Sequence, residues 1–498
     1  MGLATLRTRA VIGVEAPLIQ VEVHLAGGLP NMTIVGMAET AVKESRDRVR
    51  SALINSQFEF PASRITVNLA PADLPKGGGR YDLAIALGIL VASGQIPAES
   101  IRATEVMGEL SLSGELRPVH GALPAAMAAR EAGHELLLPA ANAEELALLP
   151  DCTAIAADHL LTLCGHLRGQ APLSPVVCAR PDNPQPLPDM ADIRGQPQAR
   201  RALEVAAAGG HNLLFFGPPG TGKTLLASRL PGILPGLTDA QALEVAAIQS
   251  ISGQPVRWGE RPFRSPHHTC SGVALVGGGS VPRPGEITLA HNGVLFLDEL
   301  TEFQRATLDV LREPLESGEI HIARAARQTR FPARFQLVAA MNPTPGGYHA
   351  SDPRSQQYSP EQLRRYLNRL SGPFLDRLDL YVEVPAVPPE VLQTRRQSEA
   401  SATIRQRVQA AWDRQQARQG CQNRDLGSAQ LGELDMTAPA ERQLLIELSE
   451  RLGLSARAQH RIERVALTLA DLAGTPTIER AHIMEALNLR QLDRLGIG

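Results

Sequence analysis

Hydrophobic and polar positions follow three different patterns along the chain. In residues 1–170, short apolar runs such as RITVNLAP (64–71) alternate with amphipathic stretches such as ETAVKESRDRVRSALINS (39–56). This mixture predicts strands and helices in one α+β domain. Residues 11–30 are interpreted as two strands joined by a Gly-Gly turn, and residues 80–94 as a helix that ends at glycine.

The middle of the chain, residues 190–385, carries strands of another kind. VLFLDEL (294–300) and FQLVAAMNP (335–343) are apolar runs with little alternation, typical of a parallel sheet covered on both faces. Residues 198–210 predict a helix, and residues 211–232 then predict a strand, a glycine-rich loop and a second helix.

Prolines mark the boundaries between the predicted domains. The segment 171–189 is interpreted as an extended linker, because six prolines fall between residues 172 and 188 and proline lacks the backbone N–H. VPAVPP (384–389) is a weaker break, and residues 392–498 predict helices throughout. The predicted domains are 1–170, 190–385 and 392–498.

The amino-acid composition restricts the class of protein to which this chain can belong. The chain has 498 residues, 43% of them hydrophobic and 20% charged, which is typical of a globular protein. Lys and Arg number 49 against 52 Asp and Glu, so any nucleic-acid contact needs a local basic patch. No apolar run reaches the roughly 18 residues that span a bilayer, and the N-terminus does not resemble a secretory segment. The five cysteines include no C-x-x-C pair, so we expect a cytoplasmic protein without disulfides or a cysteine zinc site.

The most specific motif is GPPGTGKT, which matches G-x-x-x-x-G-K-[ST] in full. Its residues are Gly217, Pro218, Pro219, Gly220, Thr221, Gly222, Lys223 and Thr224. The glycines let backbone N–H groups converge on phosphate oxygens, and the helix N-terminus adds its dipole. Lys223, one of only three lysines in the chain, would reach the β- and γ-phosphates, and Thr224 would hold Mg²⁺. A chance glycine loop is the alternative, but the apolar strand before the motif and the helix after it favour phosphate binding.

Polar residues end the two later apolar strands. A nucleotide site needs a carboxylate near Mg²⁺ and a group that orients water. Asp298 would complete the metal shell, Glu299 would polarise the attacking water, and Asn342 would hold that water or sense the γ-phosphate. Solvated acids and an ordinary Asn-Pro turn are the alternatives, but the order of the three motifs favours a nucleotide site.

These motifs, in this order, resemble those of AAA+ ATPases. Longer stretches at 261–279, 283–300, 365–380 and 455–472 resemble the magnesium-chelatase-like branch. Together with residues 75–90 and 107–121, they make the chain similar to the YifB/ComM family over nearly its whole length. The resemblance implies an α/β fold with an AAA+ P-loop ATPase core, a parallel sheet between helices. It also implies an N-terminal α+β domain like that of Lon protease and a C-terminal helical lid domain.

The N-terminal domain shares GEL-x-L-x-G-E-L-R-P-V with the proteolytic domain of Lon-type proteases. Proteolysis there needs a serine activated by a lysine. This chain has Arg80, Tyr81 and Asp82 where the serine would fall, and PVHGAL (118–123) where the lysine would follow. We therefore predict no peptidase activity, and we assign Lys76 to a structural or nucleic-acid contact.

Two further expectations concern histidines. Many family members carry cysteines spaced for zinc after the sensor asparagine, whereas this chain has His349 and no cysteine there, so we predict no zinc. His267 and His268 lie in a second loop, FRSPHHTCSG, that we expect to move with nucleotide state. They could be ligands, but hydrogen bonds within the loop are favoured.

The resemblance implies a hexameric ring that binds ATP and Mg²⁺ between neighbouring subunits. Arg377 matches the arginine finger, which would stabilise transition-state charge on the neighbour's γ-phosphate. Arg457 matches the sensor-2 arginine. The alternatives are an Arg377 paired with Asp376 or Asp379, and an Arg457 that is a solvated helix charge.

Residues 320–335 hold four arginines and no acid, and in this branch the region is a β-hairpin that points into the ring pore. The residues are Arg324, Arg327, Arg330 and Arg334. Six copies would suit a phosphate backbone. An ordinary exposed hairpin is the alternative.

The resemblance therefore implies a DNA motor, a helicase or branch-migration ATPase that acts on single-stranded or branched recombination intermediates in natural transformation. Recombination proteins are candidate partners, and we expect no association with a membrane. The alternative is a chelatase-type ATPase that remodels a protein partner.

Overall fold

The computed structural model describes residues 2–36, 40–180, 186–279, 282–324, 327–347, 358–393 and 398–490. The strands are β1 (Gly2–Arg9), β2 (Leu18–Ala26), β3 (Asn31–Val35), β4 (Arg64–Ala70), β5 (Thr104–Val106), β6 (Glu109–Leu110), β7 (Leu116–Arg117), β8 (Glu135–Pro139), β9 (Ala154–Ala157), β10 (Leu213–Phe216), β11 (Phe263–Arg264), β12 (Gly277–Gly278), β13 (Arg283–Pro284), β14 (Val294–Leu297), β15 (Glu319–Arg324), β16 (Arg327–Pro332), β17 (Gln336–Met341) and β18 (Leu380–Glu383). The α-helices are α1 (Thr40–Asn55), α2 (Asp82–Ala92), α3 (Ala122–Glu131), α4 (Ala143–Leu146), α5 (Leu160–Leu167), α6 (Pro197–Gly209), α7 (Lys223–Ile233), α8 (Asp239–Ser252), α9 (Gly272–Val276), α10 (Glu286–Leu289), α11 (Arg305–Asp309), α12 (Arg312–Ser317), α13 (Pro360–Leu367), α14 (Gly372–Leu375), α15 (Pro389–Gln393), α16 (Ser401–Gln419), α17 (Ser428–Leu434), α18 (Pro439–Arg451), α19 (Ala456–Ala473) and α20 (Arg480–Asn488).

The chain forms two compact units. The first takes its described residues from 1–184, 239–258 and 323–330, and the second unit takes the remainder. Helix α8, which follows the P-loop helix α7 along the chain, therefore belongs to the first unit. No helix within the described ranges combines the length and apolar character needed to cross a membrane.

The first unit contains a seven-stranded mixed sheet in the order β3-β4-β2-β1-β5-β8-β9. Helix α2 is buried from Asp82 to Val91 and packs on β1 and β2, as its almost entirely apolar sequence requires. The predicted hairpin in residues 11–30 is wrong, because β4 lies between β2 and β3 and pairs with both. Gly27 and Gly28 join two strands that share a partner, and the sequence pattern also missed β1.

Helix α8 packs on α3 within the first unit. The Gly121 backbone N–H donates to the Ser250 carbonyl at 3.0 Å, and the Leu123 N–H donates to Ser250 Oγ at 3.3 Å. These bonds satisfy N–H groups at the start of α3, which have no acceptor within the helix. Ala246 joins the small apolar residues of α3 in one core.

The second unit contains a five-stranded sheet in the order β11-β14-β17-β10-β18, and every pairing in it is parallel. Its central strands are buried along their whole length, which explains their continuous apolar sequence. One hydrophobic core joins this sheet to α6, α7, α16 and α19. The parallel sheet between helices is thus as predicted, and the C-terminal helices share its core.

Two small strand pairs interrupt the parallel sheet. β12 pairs with β13 between β11 and β14, and β15 pairs with β16 immediately before β17. The second pair is the hairpin expected near residues 320–335, where Thr329 and Phe331 are buried and Arg330 is exposed. Arg334 is exposed after the end of β16. Arg324 and Arg327 lie in the strands, but their side chains lie outside the described part of the chain.

Candidate nucleotide site at the edge of the parallel sheet

Three parallel strands end at one edge of the sheet, and polar residues follow each of them. Phe216 of β10 lies beside Met341 of β17, and Leu297 of β14 lies beside Ala339. The residues after these ends therefore converge, which places the P-loop, Asp298 and Asn342 together, as ligand sites in open α/β sheets commonly are.

Lys223 is the first residue of α7, and its ammonium group is directed into the P-loop. Nζ donates to the carbonyls of Gly217 at 2.7 Å and Pro218 at 2.8 Å, and to Asn342 Oδ1 at 3.1 Å. Burial lowers the pKa of Lys223, while the nearby charges of Asp298 and Glu299 oppose that shift. A buried ammonium whose three hydrogen bonds go to neutral oxygens is well suited to exchange them for phosphate oxygens.

Thr224 and Asp298 form a second contact at this edge. Thr224 Oγ1 donates to Asp298 Oδ2 at 2.5 Å, and Asp298 Oδ1 accepts a hydrogen bond from the Glu299 N–H at 2.9 Å. A hydroxyl and a carboxylate are the hard oxygen groups that Mg²⁺ prefers beside phosphates. The residues present therefore fit a magnesium nucleotide.

The loop conformation depends on glycine at two positions. A Cβ on Gly217 would lie 2.2 Å from the Val384 carbonyl oxygen, so no side chain fits there. Gly222 caps α7 with φ of 91°, a value that favours glycine.

Asn342 is held by a chain of hydroxyl groups. Thr301 Oγ1 donates to Tyr366 Oη at 2.7 Å, and that hydroxyl donates to the Asn342 carbonyl at 3.1 Å. Burial raises the pKa of Tyr366, so the phenol remains a hydrogen-bond donor. Neither residue stands out in the sequence, because Tyr366 lies 24 residues from Asn342 and 65 residues from Thr301.

A cavity of about 320 Å³ lies next to the P-loop and was not foreseen from the sequence. Apolar side chains of Ile193, Leu226 and Val387 line it together with loop residues Pro219–Gly222. Gln196 borders the cavity and donates to the Pro385 carbonyl at 2.6 Å. An apolar slot beside a phosphate loop has the character of a nucleobase pocket. Isolated apolar residues in a loop carry no pattern by which the sequence could reveal it.

Glu299 follows Asp298 but is directed elsewhere. Its backbone is left-handed, with φ of 50°, and its carboxylate Oε2 lies 3.1 Å from His268 Nδ1. His267, the adjacent histidine, bonds Thr269 Oγ1 at 2.8 Å through its own Nδ1. The sequence predicted Glu299 but not its partner.

Arg377 lies at the opposite edge of the sheet. Leu380 pairs with Leu213, the first residue of β10, so Arg377 precedes the start of β18. Asp379 binds the Asn212 N–H at 3.0 Å just before β10, which fixes this segment at the N-terminal edge. Although burial opposes the effect, His211 and Arg461 hold the pKa of Asp379 well below its usual range.

The surroundings of Arg377 are strongly basic. Its guanidinium pairs with Glu316, not with Asp376 or Asp379, and its buried Nε has no hydrogen-bond partner among the described residues. Burial and the positive charges of Arg461, Arg312 and Arg457 lower the pKa of Arg377. Arg457 is exposed in the first turn of α19. The two predicted arginines therefore share one region, away from their own P-loop.

Of the residues predicted to replace a protease dyad, Arg80, Tyr81 and Asp82 are buried in the first unit, whereas Pro118 and His120 are exposed. The Arg80 guanidinium donates to the carbonyls of His120 and Arg9, which brings the two segments compared with the protease together. Lys76 is fully buried and donates to the carbonyls of Pro71 and Leu74. His349 lies outside the described residues, and the described residues contain no group of three or more His, Cys, Asp or Glu side chains that could hold a metal ion by themselves.

Comparison with known families identifies the class and then the family. Residues 189–392 match the family described as Magnesium chelatase, subunit ChlI; residues 21–142 match Subunit ChlI of Mg-chelatase; and residues 398–490 match the C-terminal region of the same subunit. The fold and these matches define a magnesium-chelatase-like AAA+ ATPase, a class that uses a nucleotide with Mg²⁺.

Full-length relatives narrow the assignment. The chain is 51% identical to the YifB protein of Salmonella typhimurium, over 99% of this chain and 98% of that protein. It is also 51% identical to the competence protein ComM of Haemophilus influenzae, over 99% of each. Over 31% of this chain and 32% of that protein, it is 27% identical to Lon protease 2 of Bacillus subtilis. The chain belongs to the YifB/ComM family.

Proposed function

We propose that the protein is an ATP-driven DNA motor that works as a ring of six subunits on branched or single-stranded recombination intermediates. The observation that carries the proposal is the convergence of Lys223, Thr224, Asp298 and Asn342 at one sheet edge, with Arg377 at the other. The first group would bind the nucleotide, and the second would complete a neighbour's site.

Each residue at the P-loop edge has a separate task. Thr224 and Asp298 would hold Mg²⁺, which neutralises phosphate charge when bound. Lys223 would give up its loop carbonyls for phosphate oxygens, and Asn342 would orient the water. Glu299 would accept a proton from that water, which requires its carboxylate to come within hydrogen-bond reach.

Geometry supports a catalytic site shared between subunits. The four residues of β18 separate the two edges by roughly 13 Å, so Arg377 would not reach the phosphates of its own subunit. Arg457 belongs to the same basic cluster. In a closed ring each subunit presents one edge to the next, so both arginines would meet the nucleotide of the adjacent subunit.

Mixing two inactive variants tests this arrangement. Lys223→Ala removes the nucleotide site but keeps the finger, whereas Arg377→Ala removes the finger but keeps the nucleotide site. When equal amounts of the two variants assemble at random, about a quarter of the subunit interfaces combine an intact nucleotide site with an intact finger. We therefore expect ATP hydrolysis to return on mixing. If the mixture stays as inactive as either variant alone, the shared site is wrong.

DNA as the substrate has two supports. A relative that matches this chain over 99% of each protein is named a competence protein, and the arginine-bearing hairpin, with Arg330 exposed, offers positive charge for phosphates. We expect single-stranded or forked DNA to stimulate ATP hydrolysis, and we expect added salt to remove the stimulation because phosphate contacts release counterions. The absence of stimulation and binding at low salt, with every nucleotide tested, would refute the DNA motor.

The second candidate is a chelatase-type ATPase that remodels a protein partner. The match to magnesium chelatase subunit families favours it. A rate of ATP hydrolysis that is the same with and without DNA would support this alternative. We also propose that the Lon-like domain has no peptidase activity, since Arg80 occupies the compared position with its guanidinium bound to backbone carbonyls.

A further inference from the structure

Arg377 lies in a short connecting segment of the second unit. Helix α14 ends at Leu375 and β18 begins at Leu380, so residues 376–379 join the two elements. The Arg377 N–H donates to the Phe374 carbonyl at 2.9 Å, which is a local turn bond. The position of the Arg377 guanidinium therefore depends on the contacts that fix the backbone of this segment.

Asn212 fixes that backbone with its side chain. It immediately precedes β10 and is 7% exposed. Its Nδ2 donates to the Arg377 carbonyl at 2.9 Å, and its Oδ1 accepts the N–H of Leu337 in β17 at 2.9 Å. The carboxamide thus places its donor on an acceptor and its acceptor on a donor, which permits one orientation of the side chain.

The backbone of Asn212 adds three bonds to the same segment. Its carbonyl accepts the N–H groups of Asp379 at 2.9 Å and of Leu380 at 3.0 Å, and its N–H donates to Asp379 Oδ2 at 3.0 Å. Strands β10 and β17 are buried along their whole length. Asn212 therefore ties the segment that carries Arg377 to the buried centre of the parallel sheet.

Two arginines of the C-terminal helical region hold the residues after Arg377. Arg461 donates to Asp379 Oδ1 at 3.1 Å. Arg490 donates to the carbonyls of Leu378 and Asp379, both at 3.0 Å. The bond to the Arg377 carbonyl itself comes from Asn212.

A neutral side chain suits this place. The positive charges of Arg312, Arg457 and Arg461 already act on Arg377. A further cation beside the segment would add repulsion, because like charges raise each other's energy at short range. The Asn212 amide holds the carbonyl of Arg377 without adding charge.

We infer that Asn212 is a positioning residue for the shared catalytic site, because its carboxamide sets the backbone from which Arg377 reaches the nucleotide of the neighbouring subunit. Asn212 lies at the end of β10 away from the P-loop, so it acts through Arg377 and not on its own subunit's nucleotide. The inference rests on the proposed function, since it assigns a further residue to the same site.

Asn212→Ala tests this role. The substitution keeps the Arg377 side chain but releases its backbone. We expect kcat for ATP hydrolysis to fall on the order of tenfold, since a small misplacement of a catalytic group slows the reaction. KM for ATP should stay unchanged, because the finger stabilises charge that develops only in the transition state. If Asn212→Ala does not fold, Asn212→Ser carries the test, since its one hydroxyl oxygen cannot hold both amide partners in their present positions.

Gln415→Ala is the matched control. Gln415 is a buried amide of the same unit that donates to the Ala208 carbonyl at 3.1 Å and accepts the Asn423 N–H at 3.0 Å. It thus loses the same kinds of hydrogen bond as Asn212→Ala. Urea unfolding should show a lower stability for both variants, whereas kcat should fall only in Asn212→Ala. An equal fall of kcat in both would overturn the inference.

Mixing variants separates a misplaced finger from a damaged nucleotide site. Asn212→Ala keeps its nucleotide site, so mixing it with Lys223→Ala, which keeps an intact finger, should raise hydrolysis above the sum of the two alone. Mixing it with Arg377→Ala should give no such gain, because both variants lack a working finger. A defect in the nucleotide site of Asn212→Ala would produce the reverse pattern.

The inference is overturned by that reverse pattern, by a wild-type kcat in Asn212→Ala, or by the absence of a gain with Lys223→Ala. Failure of the proposed function is a different result. If Lys223→Ala and Arg377→Ala do not restore each other, the shared site is refuted and the inference with it. A rate of hydrolysis that DNA does not change would refute the DNA motor and leave the role of Asn212 standing.

Discussion

Lys223 and Lys76 are two of the three lysines in the chain, and their immediate contacts are alike. Lys223 is 8% exposed and Lys76 is 0% exposed. Each ammonium donates to two backbone carbonyls within six residues of its own position. Burial and satisfied hydrogen bonds therefore do not distinguish a candidate catalytic lysine from a structural one.

The difference lies in what else surrounds the two ammonium groups. Lys223 also meets Asn342, and it lies beside the Thr224 and Asp298 pair and the cavity of about 320 Å³ next to the P-loop. Lys76 follows β4 in the first unit and is fully enclosed. A lysine can bind an anionic ligand when the ligand can replace the oxygen atoms that accept its hydrogen bonds. We expect this replacement at the sheet edge that carries Lys223.

The largest expected effect is at the open edge. Lys223→Ala should reduce ATP hydrolysis on the order of 10³-fold, because a preorganised positive donor is lost. Its free energy of unfolding should remain close to that of the wild type, since two of the three oxygens that lose its ammonium belong to the half-buried residues Pro218 and Asn342. Nucleotide titration and urea unfolding measure the two quantities. If Lys223→Ala were fully active, the proposed functional difference between Lys223 and Lys76 would be wrong.

Glu299→Gln should slow the turnover of ATP without changing the binding of ATP. The amide retains the shape of the side chain but cannot accept the proton, so hydrolysis should fall on the order of 10²-fold. ATP affinity should not change, because the expected nucleotide contacts belong to Lys223, Thr224 and Asp298. Single-turnover kinetics with a fluorescent nucleotide separate the two steps. Normal turnover would contradict the assignment of the base.

Lys76→Met should give the reverse pattern. The carbonyls of Pro71 and Leu74 would lose the donor that the fully buried Lys76 gives them, at a cost of about 1–3 kcal/mol in the free energy of unfolding. Turnover of ATP should stay within about twofold of wild type, since Lys76 contributes none of the expected nucleotide contacts. Lys43→Met is the matched control, because Lys43 is exposed on α1. Equal stability of both variants would show that Lys76 is not structural.

The smallest expected effect is the pH dependence of the first unit. Glu145 accepts a hydrogen bond from Asn142 at 2.7 Å, and burial raises its pKa. The native state then binds its proton more tightly than the unfolded chain, so stability should fall as pH rises from the unfolded value of about 4.3 toward neutrality. Glu145→Gln should remove this slope, a change below about 1 kcal/mol. Urea unfolding across this pH range measures the free energy of unfolding. If its slope against pH were identical in the wild type and in Glu145→Gln, the raised pKa would not belong to Glu145.

The P-loop edge was predictable because its parts are local. A strand, a glycine turn and a helix start fix the geometry of GPPGTGKT within a few residues, and parallel strands bring their carboxyl ends to one edge. The helices from 39–56 and 80–94 were predicted close to their observed bounds for the same reason. The failed hairpin in residues 11–30 depended instead on β4, a strand almost 40 residues away.

The sequence by itself determined the phosphate loop and the acids and amide that follow the buried strands, because each depends on short-range backbone geometry, and its longer motifs carried the resemblance to a class of ATPase. Only the tertiary structure decided that Lys76 is enclosed, that His268 lies beside Glu299, and that Arg377 and Arg457 share the edge away from the loop. Those relations follow from strand order and register, which bring together residues that are separated by tens of positions in the chain.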